Sequence, residues 1–262
     1  MIVNNYMNQE KTYIYGKHPV SEALLNAPHT VVRVFLSPHL EDRDFKNLIT
    51  KTGVLVATLS PQNAPFLEKD AVHQGVAAEI SLSGLMREYR EFVDGLEINP
   101  NTALVLLGEI QDPQNVGAIV RSAAAFGIAG VLIPEHQQAP VTGLVIKVSA
   151  GMAFRVPLVS IGNVNTTVRD LKERGFWVYG LDESASRPLN KEVFDAPTLF
   201  VLGNEARGIR EKTRELCDIL LSIPMSARCE SLNVAASAAV VFYAWSAQHG
   251  EALTPHILNY EN

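Results

Sequence analysis

Three polar, glycine-containing segments of this chain each follow a run of apolar residues, and their side chains are suited to holding a substrate. Residues 202–209 read LGNEARGI, residues 112–121 read DPQNVGAIVR, and residues 223–234 read IPMSARCESLNV. In open parallel α/β sheets, the loops that bind ligands lie at the carboxyl ends of the strands. We therefore expect the three segments to meet around one pocket.

The segment 112–121 contains an asparagine and an arginine that are candidates for chemistry. Asn115 stands where a helix N-cap belongs, and its plain interpretation is a capping residue. Arg121 follows among Ile119, Val120 and Ala123. A charge within an apolar, small-residue helix needs a partner or a ligand, and a planar guanidinium can hold a phosphate bidentately. The residues alone favour a functional role for Arg121 over a structural one.

The other two segments combine backbone freedom with polar side chains. Gly203 and Gly208 bracket Glu205 directly after an apolar strand, where glycine permits a left-handed turn or a close backbone approach. Glu205 either caps the next helix or acts on a ligand, and the sequence leaves both roles open. Pro224 lacks an amide hydrogen and therefore ends a strand ladder. Ser231, taken alone, is more simply a helix N-cap than a catalytic residue.

Composition narrows the classes of protein that this chain can belong to. A net charge of -6 counts against nucleic-acid binding through overall positive charge, although it allows a local basic face. Cys217 and Cys229 cannot make a disulfide framework, and no Cys/His spacing resembles a zinc site. No apolar run approaches the ~18 residues that span a bilayer. Residues 1–11 lack a secretion signal pattern and are expected to be a frayed terminus. The low cysteine count fits a reducing cytoplasm.

The elements that must position these residues form two α/β units. Alternating strands and helices over residues 12–82, with a first helix from Pro19, predict a small α/β domain. Residues 83–101 have a charged run and little apolar pattern, which predicts a linker with about one helical turn. Successive β-α-β units over residues 102–250 predict a larger domain with a parallel sheet. One of its helices is expected to run from Val116 to Phe126.

The three segments together resemble the motifs of the SpoU (TrmH) branch of the SPOUT RNA methyltransferases, in the same order and spacing over roughly residues 103–248. Residues 15–20 (YGKHPV) and 73–76 (HQGV) are similar to the substrate-binding domain that precedes many members, which resembles a small ribosomal protein in fold. The layout is most similar to bacterial enzymes that methylate a guanosine ribose in large-subunit ribosomal RNA.

The resemblance implies a deep trefoil knot in the larger domain, a homodimer, and S-adenosylmethionine bound in the knot loops. The side chains at the family's functional positions are Asn115, Arg121, Glu205, Ser231 and Asn233. The positions expected to bind the cofactor are Leu202, Gly203, Gly208, Ile223, Met225 and Leu232. Candidates for contact with RNA are Lys17, His18, Arg33 and Lys147. No metal is required, because the leaving group departs as a neutral thioether.

Arg121 is the general base that the family resemblance suggests, but the chemistry of the guanidinium argues against that role. A guanidinium essentially never deprotonates in a protein. We instead assign to Arg121 the phosphate next to the target and the developing oxyanion, across the dimer interface. Asn115 and Ser231 are expected to orient the substrate, while Glu205 and Asn233 hold the loops and Arg121.

Several other functions fit part of the sequence. Within enzymes, the alternatives are a transfer RNA ribose methyltransferase and a ribosomal RNA methyltransferase that confers antibiotic resistance; the separate small domain favours ribosomal RNA. A non-catalytic RNA-binding or ribosome-assembly factor is a further alternative, which retention of all five polar motif positions disfavours. A nucleotide-dependent oxidoreductase would need a phosphate-binding glycine pattern that the chain lacks.

Overall fold

The structure is a computed structural model that describes residues 11–60, 62–67 and 72–253. The frayed terminus predicted for residues 1–11 lies outside the described residues except for Lys11. No helix within the described ranges is long and apolar enough to cross a membrane.

The first part of the chain forms a four-stranded sheet with two helices on one face. Its elements are β1 (Lys11–Tyr15), α1 (Lys17–Asn26), β2 (Val31–Leu36), α2 (Arg43–Thr52), β3 (Leu55–Thr58) and β4 (Val76–Ser81). The strand order is β1-β4-β2-β3, with β4 antiparallel to both neighbours and β3 parallel to β2. Side chains alternate between the faces of a strand, so Ile14 joins the core under the helices while Tyr13 and Tyr15 lie on the opposite face.

Both helices of this part begin and end at residues with a clear physical role. Helix α1 starts two residues before the predicted Pro19, which fits there because the first-turn amides of a helix have no intrahelical acceptor. The carboxylate of Asp42 caps α2 by accepting from the amide of Phe45, and Gly53 ends that helix in the left-handed conformation at φ 66°.

The second part forms an eight-stranded sheet in which every pair of neighbours is parallel. Its elements are β5 (Met86–Glu88), α3 (Tyr89–Asp94), β6 (Ala103–Leu107), α4 (Pro113–Ala125), β7 (Gly130–Pro134), α5 (Gly143–Val148), β8 (Leu158–Ile161), α6 (Val164–Glu173), β9 (Trp177–Leu181), β10 (Arg187–Pro188), β11 (Thr198–Leu202), α7 (Glu211–Arg214), β12 (Ile219–Ser222) and α8 (Val234–Ser246). The strand order is β10-β12-β9-β11-β6-β7-β8-β5. The predicted α/β class with a parallel sheet is confirmed.

Buried side chains of the central strands alternate between two cores. On β6, Val105 and Leu107 face the core that includes α4 and α8, whereas Leu104 and Leu106 face the core under α3 and α6. The ring of Phe242 on α8 lies 5.8 Å from that of Phe200 on β11, measured between centroids. Helix α8 is therefore packed directly over the strand that leads into the segment 202–209. The trefoil knot stays a prediction.

The segment 83–101 is more regular than the predicted linker. Strand β5 pairs with β8 at the edge of the large sheet, and α3 follows it at once. The carboxylate of Glu88 caps α3 by accepting from the amides of Arg90 and Glu91. A three-residue edge strand has too few residues to show an alternating pattern, and its partner lies about 70 residues away in the chain. Helix α5 and strand β8 are likewise short and were not predicted.

Direct contacts join the small sheet to the large one. The hydroxyl of Thr12 accepts a hydrogen bond of 2.9 Å from the amide of Gly143 at the start of α5. The guanidinium of Arg155 donates to both carboxylate oxygens of Glu22 on α1, at 2.6 and 3.0 Å. Glu22 is buried, so this bidentate pair keeps a desolvated carboxylate satisfied.

Candidate active site

A hollow of about 710 Å³ lies at the carboxyl ends of β9, β11 and β12. This volume falls within the ~300–1,000 Å³ of typical ligand pockets. All six residues predicted to bind a cofactor line it, namely Leu202, Gly203, Gly208, Ile223, Met225 and Leu232. Three of the predicted functional side chains, Glu205, Ser231 and Asn233, line it as well. Two of the three motif segments therefore form its wall.

The wall on the β11 side depends on a tightly folded loop. Asn204 and Gly208 exchange two backbone hydrogen bonds, of 3.0 and 2.9 Å, which close the loop on itself. A Cβ atom on Gly203 would lie 2.3 Å from the carbonyl carbon of Gly208 and 2.4 Å from the nitrogen of Ile209. Gly208 has a φ of 66°, a left-handed conformation that glycine adopts without strain. The loop thus brings backbone atoms to the hollow where a side chain has no room.

A chain of side-chain hydrogen bonds connects the three motif segments. The amide nitrogen of Asn115 donates to Glu205 over 3.0 Å, and its carbonyl oxygen accepts from the amide nitrogen of Asn233 over 2.9 Å. The carbonyl of Asn233 in turn accepts from the backbone amide of Ala235 at 2.8 Å. Each amide group uses both its donor and its acceptor, so the orientation of both asparagine side chains is fixed.

Glu205 is held in its charged form by this network. Its carboxylate also accepts from the backbone amides of Gln111 at 3.3 Å and Asp112 at 3.4 Å. Burial acts to raise the pKa of Glu205, but the hydrogen bonds from Asn115 and from backbone amides outweigh it and lower the pKa below its usual value. Glu205 is therefore an acceptor that joins two loops. The predicted alternative that it caps the following helix is wrong, because α7 starts after Arg210 and has no side-chain cap.

The N-cap assigned to Asn115 is wrong by three residues. Helix α4 begins at Pro113, and Asp112 caps it by accepting a 2.8 Å hydrogen bond from the amide of Gln114. Proline suits the first helical position because its missing N–H has no intrahelical acceptor there. Asn115 therefore lies in the first turn, 9% exposed, where its side chain is free to reach Glu205 and Asn233.

The residue that caps α8 is not the one that the sequence suggested. The N-cap of α8 is Asn233, whose side chain accepts from the amides of Ala235 and Ala236, so the capping interpretation of Ser231 is wrong. Ser231 is exposed at the hollow, and its hydroxyl makes no hydrogen bond to the described part of the chain. This leaves the hydroxyl available to a ligand.

Arg121 lies away from the hollow of its own chain. It is exposed on α4 and has no ion pair or hydrogen bond within residues 11–60, 62–67 and 72–253. At ~100° per residue, the six positions between Asn115 and Arg121 turn the side chain by ~240°. Its apolar neighbours in sequence, Ile119, Val120 and Ala123, are buried, while Arg121 points outward.

The four candidates for RNA contact lie on the small sheet and at its junction with the large one. Lys17 forms a 2.8 Å ion pair with Asp42, while His18 and Arg33 are exposed. Lys147 on α5 donates a 3.0 Å hydrogen bond to the hydroxyl of Tyr15. None of these four lines the hollow, so contact with RNA at these positions stays a prediction.

Several residues of the hollow were not predicted. Asp182 and Glu183 follow β9, and Arg214 reaches Asp182 with a hydrogen bond of 2.8 Å. Asn204 fixes the β11 loop, since its amide nitrogen donates to the carbonyl of Glu109 at 2.8 Å. A signal for Asp182 and Glu183 was present, because two acids directly after an apolar strand follow the same pattern as the three motif segments.

The lining of the hollow combines apolar and charged side chains. Leu202, Ile223 and Leu232 supply apolar surface, and the place of a side chain on Gly203 is filled by the backbone of Gly208 and Ile209. The charged side chains of the lining are Asp182, Glu183, Glu205, Arg207 and Arg214. No group of three metal-ligating side chains was found among the described residues.

Comparison with known proteins agrees with these features. Residues 102–243 match the model of the SpoU rRNA methylase family, and residues 13–84 match the RNA 2'-O ribose methyltransferase substrate-binding family. The 23S rRNA (guanosine-2'-O-)-methyltransferase RlmB of Nitrosomonas europaea is 34% identical over 243 residues, covering 91% of this chain and 92% of that protein. The enzyme of the same name from Xanthomonas axonopodis pv. citri is 35% identical, covering 90% and 96%.

Solved structures show the same fold. The SpoU methyltransferase AviRb from Streptomyces viridochromogenes, in complex with AdoMet, superposes with a TM-score of 0.80 at 22% identity, covering 95% of this chain and 94% of that one. The TrmH/SpoU tRNA modifying enzyme of A. aeolicus superposes with a TM-score of 0.51 at 23% identity, covering 58% of this chain and 77% of that one.

Proposed function

Because this chain belongs to the SpoU rRNA methylase family, we propose that it methylates the ribose 2′-hydroxyl of a guanosine in large-subunit ribosomal RNA. It is an enzyme that uses S-adenosylmethionine, as the family resemblance of its three motifs predicted. One observation at the candidate site supports the proposal most directly. Two of the three motif segments line one hollow, and the third is tied to both of them by the hydrogen bonds of Asn115 to Glu205 and Asn233.

The walls of the hollow account for binding of the methyl donor. When bound, S-adenosylmethionine supplies a methyl group on a positively charged sulfur. Backbone atoms at Leu202, Gly203 and Ile223, which line the hollow, would hold the adenosyl part. Glu205, kept charged by its hydrogen bonds, adds negative potential to the hollow.

The remaining side chains position the ribose. The free hydroxyl of Ser231 orients the 2′-hydroxyl by a hydrogen bond. In-line displacement needs the attacking oxygen within about 3–3.5 Å of the methyl carbon, so the rigidity of these loops is itself a contribution to the rate. Glu205 does not take the proton of the 2′-hydroxyl, because its pKa is lowered and its oxygens already accept hydrogen bonds. That proton passes to solvent water as the oxygen gains the methyl group. Arg121 holds the neighbouring phosphate and the developing oxyanion.

A homodimer supplies Arg121 to the hollow. On α8, which packs against α4, Val240 and Tyr243 are 39% and 62% exposed and lie on the same helix face. The ring of Tyr243 contacts Phe126 at the end of α4, with 5.9 Å between centroids. Pairing of two copies over this surface covers the exposed apolar residues and directs the Arg121 of one copy to the hollow of the other.

Ribosomal RNA is favoured over transfer RNA by the extent of the matches. The 23S rRNA enzymes match along both parts of this chain, whereas the tRNA modifying enzyme of A. aeolicus matches only 58% of it. We assign residues 12–82 to substrate binding, residues 83–101 to the connection and residues 102–250 to catalysis. The reaction takes place in the cytoplasm, where ribosomal RNA is processed.

Mapping of ribose methylation in a strain that lacks the gene tests this function. All ribosomal and transfer RNA positions are compared with those of the parent strain and of a strain that expresses the chain again. We expect one large-subunit guanosine to lose its 2′-O-methyl group and to regain it on re-expression. Loss of the methyl group from a transfer RNA instead would assign the alternative substrate, and an unchanged map would contradict the proposal.

A further inference from the structure

The face of the small sheet opposite α1 and α2 has no role in the methyl transfer itself. Tyr13 on β1 lies opposite Glu79 on β4, Glu79 opposite Arg33 on β2, and Arg33 opposite Leu55 on β3. Residues opposite each other across a sheet point to the same side. This row therefore crosses the whole sheet on the face turned away from α1 and α2.

Aromatic rings stand on this face. Phe66, in the turn that follows β3, stacks on Tyr13 with 3.7 Å between ring centroids and 10° between planes. The same ring meets Phe35 edge-on at 5.6 Å, so Phe66 is anchored to a buried neighbour. Tyr13 remains 37% exposed. Tyr15, two residues along β1, lies below the ammonium of Lys147, which is 4.9 Å from the ring centroid.

Positive charge surrounds the rings although the chain as a whole is acidic. Lys11 bonds to Glu79 at 2.7 Å, which leaves that carboxylate neutralised. Arg33 is exposed and has no hydrogen bond or ion pair to the described residues. With Lys147 at the sheet edge, the described residues of this face include three cations and one carboxylate. This local excess is opposite in sign to the net charge of -6.

The face is continuous with the catalytic part of the chain. Lys147 belongs to α5, and α5 is packed on α4. A Cβ atom on Gly117 of α4 would lie 2.7 Å from Val148, which shows how closely the two helices approach. Asn115, two residues before Gly117, belongs to the hydrogen-bonded chain at the hollow. Lys147, bonded to Tyr15, therefore connects the small-sheet face to the helix pair that includes Asn115.

We propose that this face, defined by Lys11, Tyr13, Arg33, Phe66 and Lys147, binds unpaired RNA next to the target nucleotide. Bases that are splayed from loops stack on aromatic side chains, and cations beside the rings hold the phosphates. A paired A-form helix cannot use the rings in this way, because its bases are stacked on one another. The proposal rests on the function proposed above and names the surface by which the RNA substrate is held.

Two sets of variants test this surface in the full-length chain. Tyr13→Leu combined with Phe66→Leu removes the rings and keeps apolar bulk, and Arg33→Gln removes the exposed charge. Trp177→Leu and Arg169→Gln are the matched controls, since Trp177 is 48% exposed and Arg169 is exposed on the large sheet part. The probes are a short single-stranded RNA oligonucleotide and a hairpin duplex, with the dissociation constants measured by fluorescence anisotropy.

We expect the leucine pair to weaken single-strand binding about tenfold, because base stacking on the rings is lost. Arg33→Gln should reduce the magnitude of the slope of log affinity against log salt concentration by about one, which corresponds to the loss of one phosphate contact. Both should leave the dissociation constant for S-adenosylmethionine at the wild-type value, as should the controls. The exposed position of Arg33 makes that variant a test that does not depend on the packing of the rings.

Unchanged single-strand binding in both the leucine pair and Arg33→Gln would overturn this proposal. Equal affinity of the wild-type chain for the duplex and the single strand would also overturn it. Failure of the proposed function has a different signature, because the wild-type chain would then transfer no methyl group to ribosomal RNA whatever its affinity for the oligonucleotide.

Discussion

The amide nitrogen of Asn115 donates a hydrogen bond of 3.0 Å to the carboxylate of Glu205, from 90 residues away in the chain. This bond ties the first turn of α4 to the loop after β11. Asn233 continues the connection to the start of α8. The two loops that line the hollow and the start of α4 are thus held in their relative positions by side chains as well as by the sheet.

Two asparagine caps allow the stability of a helix to be separated from its role at the hollow. Asn233 caps α8 and bonds to Asn115, whereas Asn163 caps α6 at a distant site by accepting from Thr166. Replacing either cap by alanine should cost about 1 kcal/mol of unfolding free energy. Asn233→Ala should cost about 1 kcal/mol more, because it leaves the buried Asn115 carbonyl without its partner.

Methyl transfer distinguishes the same two variants. Asn233→Ala should lower kcat/KM by about 10²-fold, since small displacements of positioning groups have effects of that size. Asn163→Ala should keep the wild-type value. Urea unfolding and steady-state kinetics measure the two quantities, and equal kinetics for both variants would contradict a positioning role for Asn233.

The carboxylate of Glu205 makes stability depend on pH in a defined direction. Its pKa is lower in the folded chain than the ordinary value of 4.5, so the unfolded chain takes up the proton first as the pH falls. The ionised group therefore stabilises the fold above that ordinary pKa, and this contribution is lost as the pH falls through the folded pKa. The unfolding free energies of wild type and Glu205→Gln should differ most at neutral pH and converge in acid.

Glu173→Gln is the matched control for the pH dependence of Glu205→Gln. Glu173 is exposed at the end of α6 and away from the hollow, so Glu173→Gln reports the effect of the same substitution outside the network. Urea unfolding of both variants across the acid range gives the two sets of unfolding free energies. A difference between Glu205→Gln and wild type that stays constant with pH would show that the hydrogen bonds to the Glu205 carboxylate do not stabilise the charged form.

Gly203 tests whether the closed loop is needed for the cofactor. In Gly203→Ala the new Cβ atom would meet backbone atoms of Gly208 and Ile209 at 2.3 and 2.4 Å, so the loop must open. Calorimetric titration should show binding of S-adenosylmethionine weakened at least about tenfold, a loss of ~1.4 kcal/mol. Gly162→Ala is the control, because its Cβ meets nothing within 4 Å. Wild-type affinity in Gly203→Ala would exclude the β11 loop from the binding site.

Arg121 tests the shared site of the dimer. Arg121→Ala and Gly203→Ala should each be inactive, the first because it lacks the clamp and the second because its hollow is distorted. In a mixed dimer, the hollow of the Arg121→Ala copy receives the intact Arg121 of its partner. Random mixing of equal amounts should therefore recover about a quarter of the wild-type rate in a two-fold symmetric dimer. If mixing recovers no activity, Arg121 either acts within its own chain or has no role in the reaction.

Replacing Arg121 by lysine tests how the guanidinium acts. Lysine keeps the charge but lacks the planar fork that holds a phosphate bidentately. Arg121→Lys should therefore lose most of the activity while keeping the wild-type melting temperature, since Arg121 is exposed. A rate close to that of the wild type would defeat the bidentate clamp.

The sequence predicted the lining of the hollow well because strand ends and glycines are local features. Gly203, Gly208 and Ile223 each stand directly after or near the end of an apolar strand, and parallel strands bring such ends to one edge. The surroundings of Arg121 do not follow from its neighbours in sequence. Its neighbours in sequence are apolar, but helical periodicity turns them to the core and turns Arg121 outward.

The remaining errors concern choices that depend on tertiary contacts. Asp112 and Asn115 are both good N-caps by type, and Pro113 decides between them only once the helix start is known. Strand β5 has three residues and exists through its pairing with β8. The bond between Glu205 and Asn115 joins residues that no local pattern relates. Features of this kind can be recognised only when the residues that they contact in the folded chain are known.

Transfer of a labelled methyl group to unmodified large-subunit ribosomal RNA is the most direct test of this account. The purified chain is incubated with the RNA and S-adenosylmethionine that carries tritium in its methyl group, and the RNA is then digested to nucleosides. We predict that the label is recovered as 2′-O-methylguanosine, and that Asn115→Ala, which breaks the connection between the three loops, removes it. Label in a base-methylated nucleoside, or none in the wild-type reaction, would contradict the account.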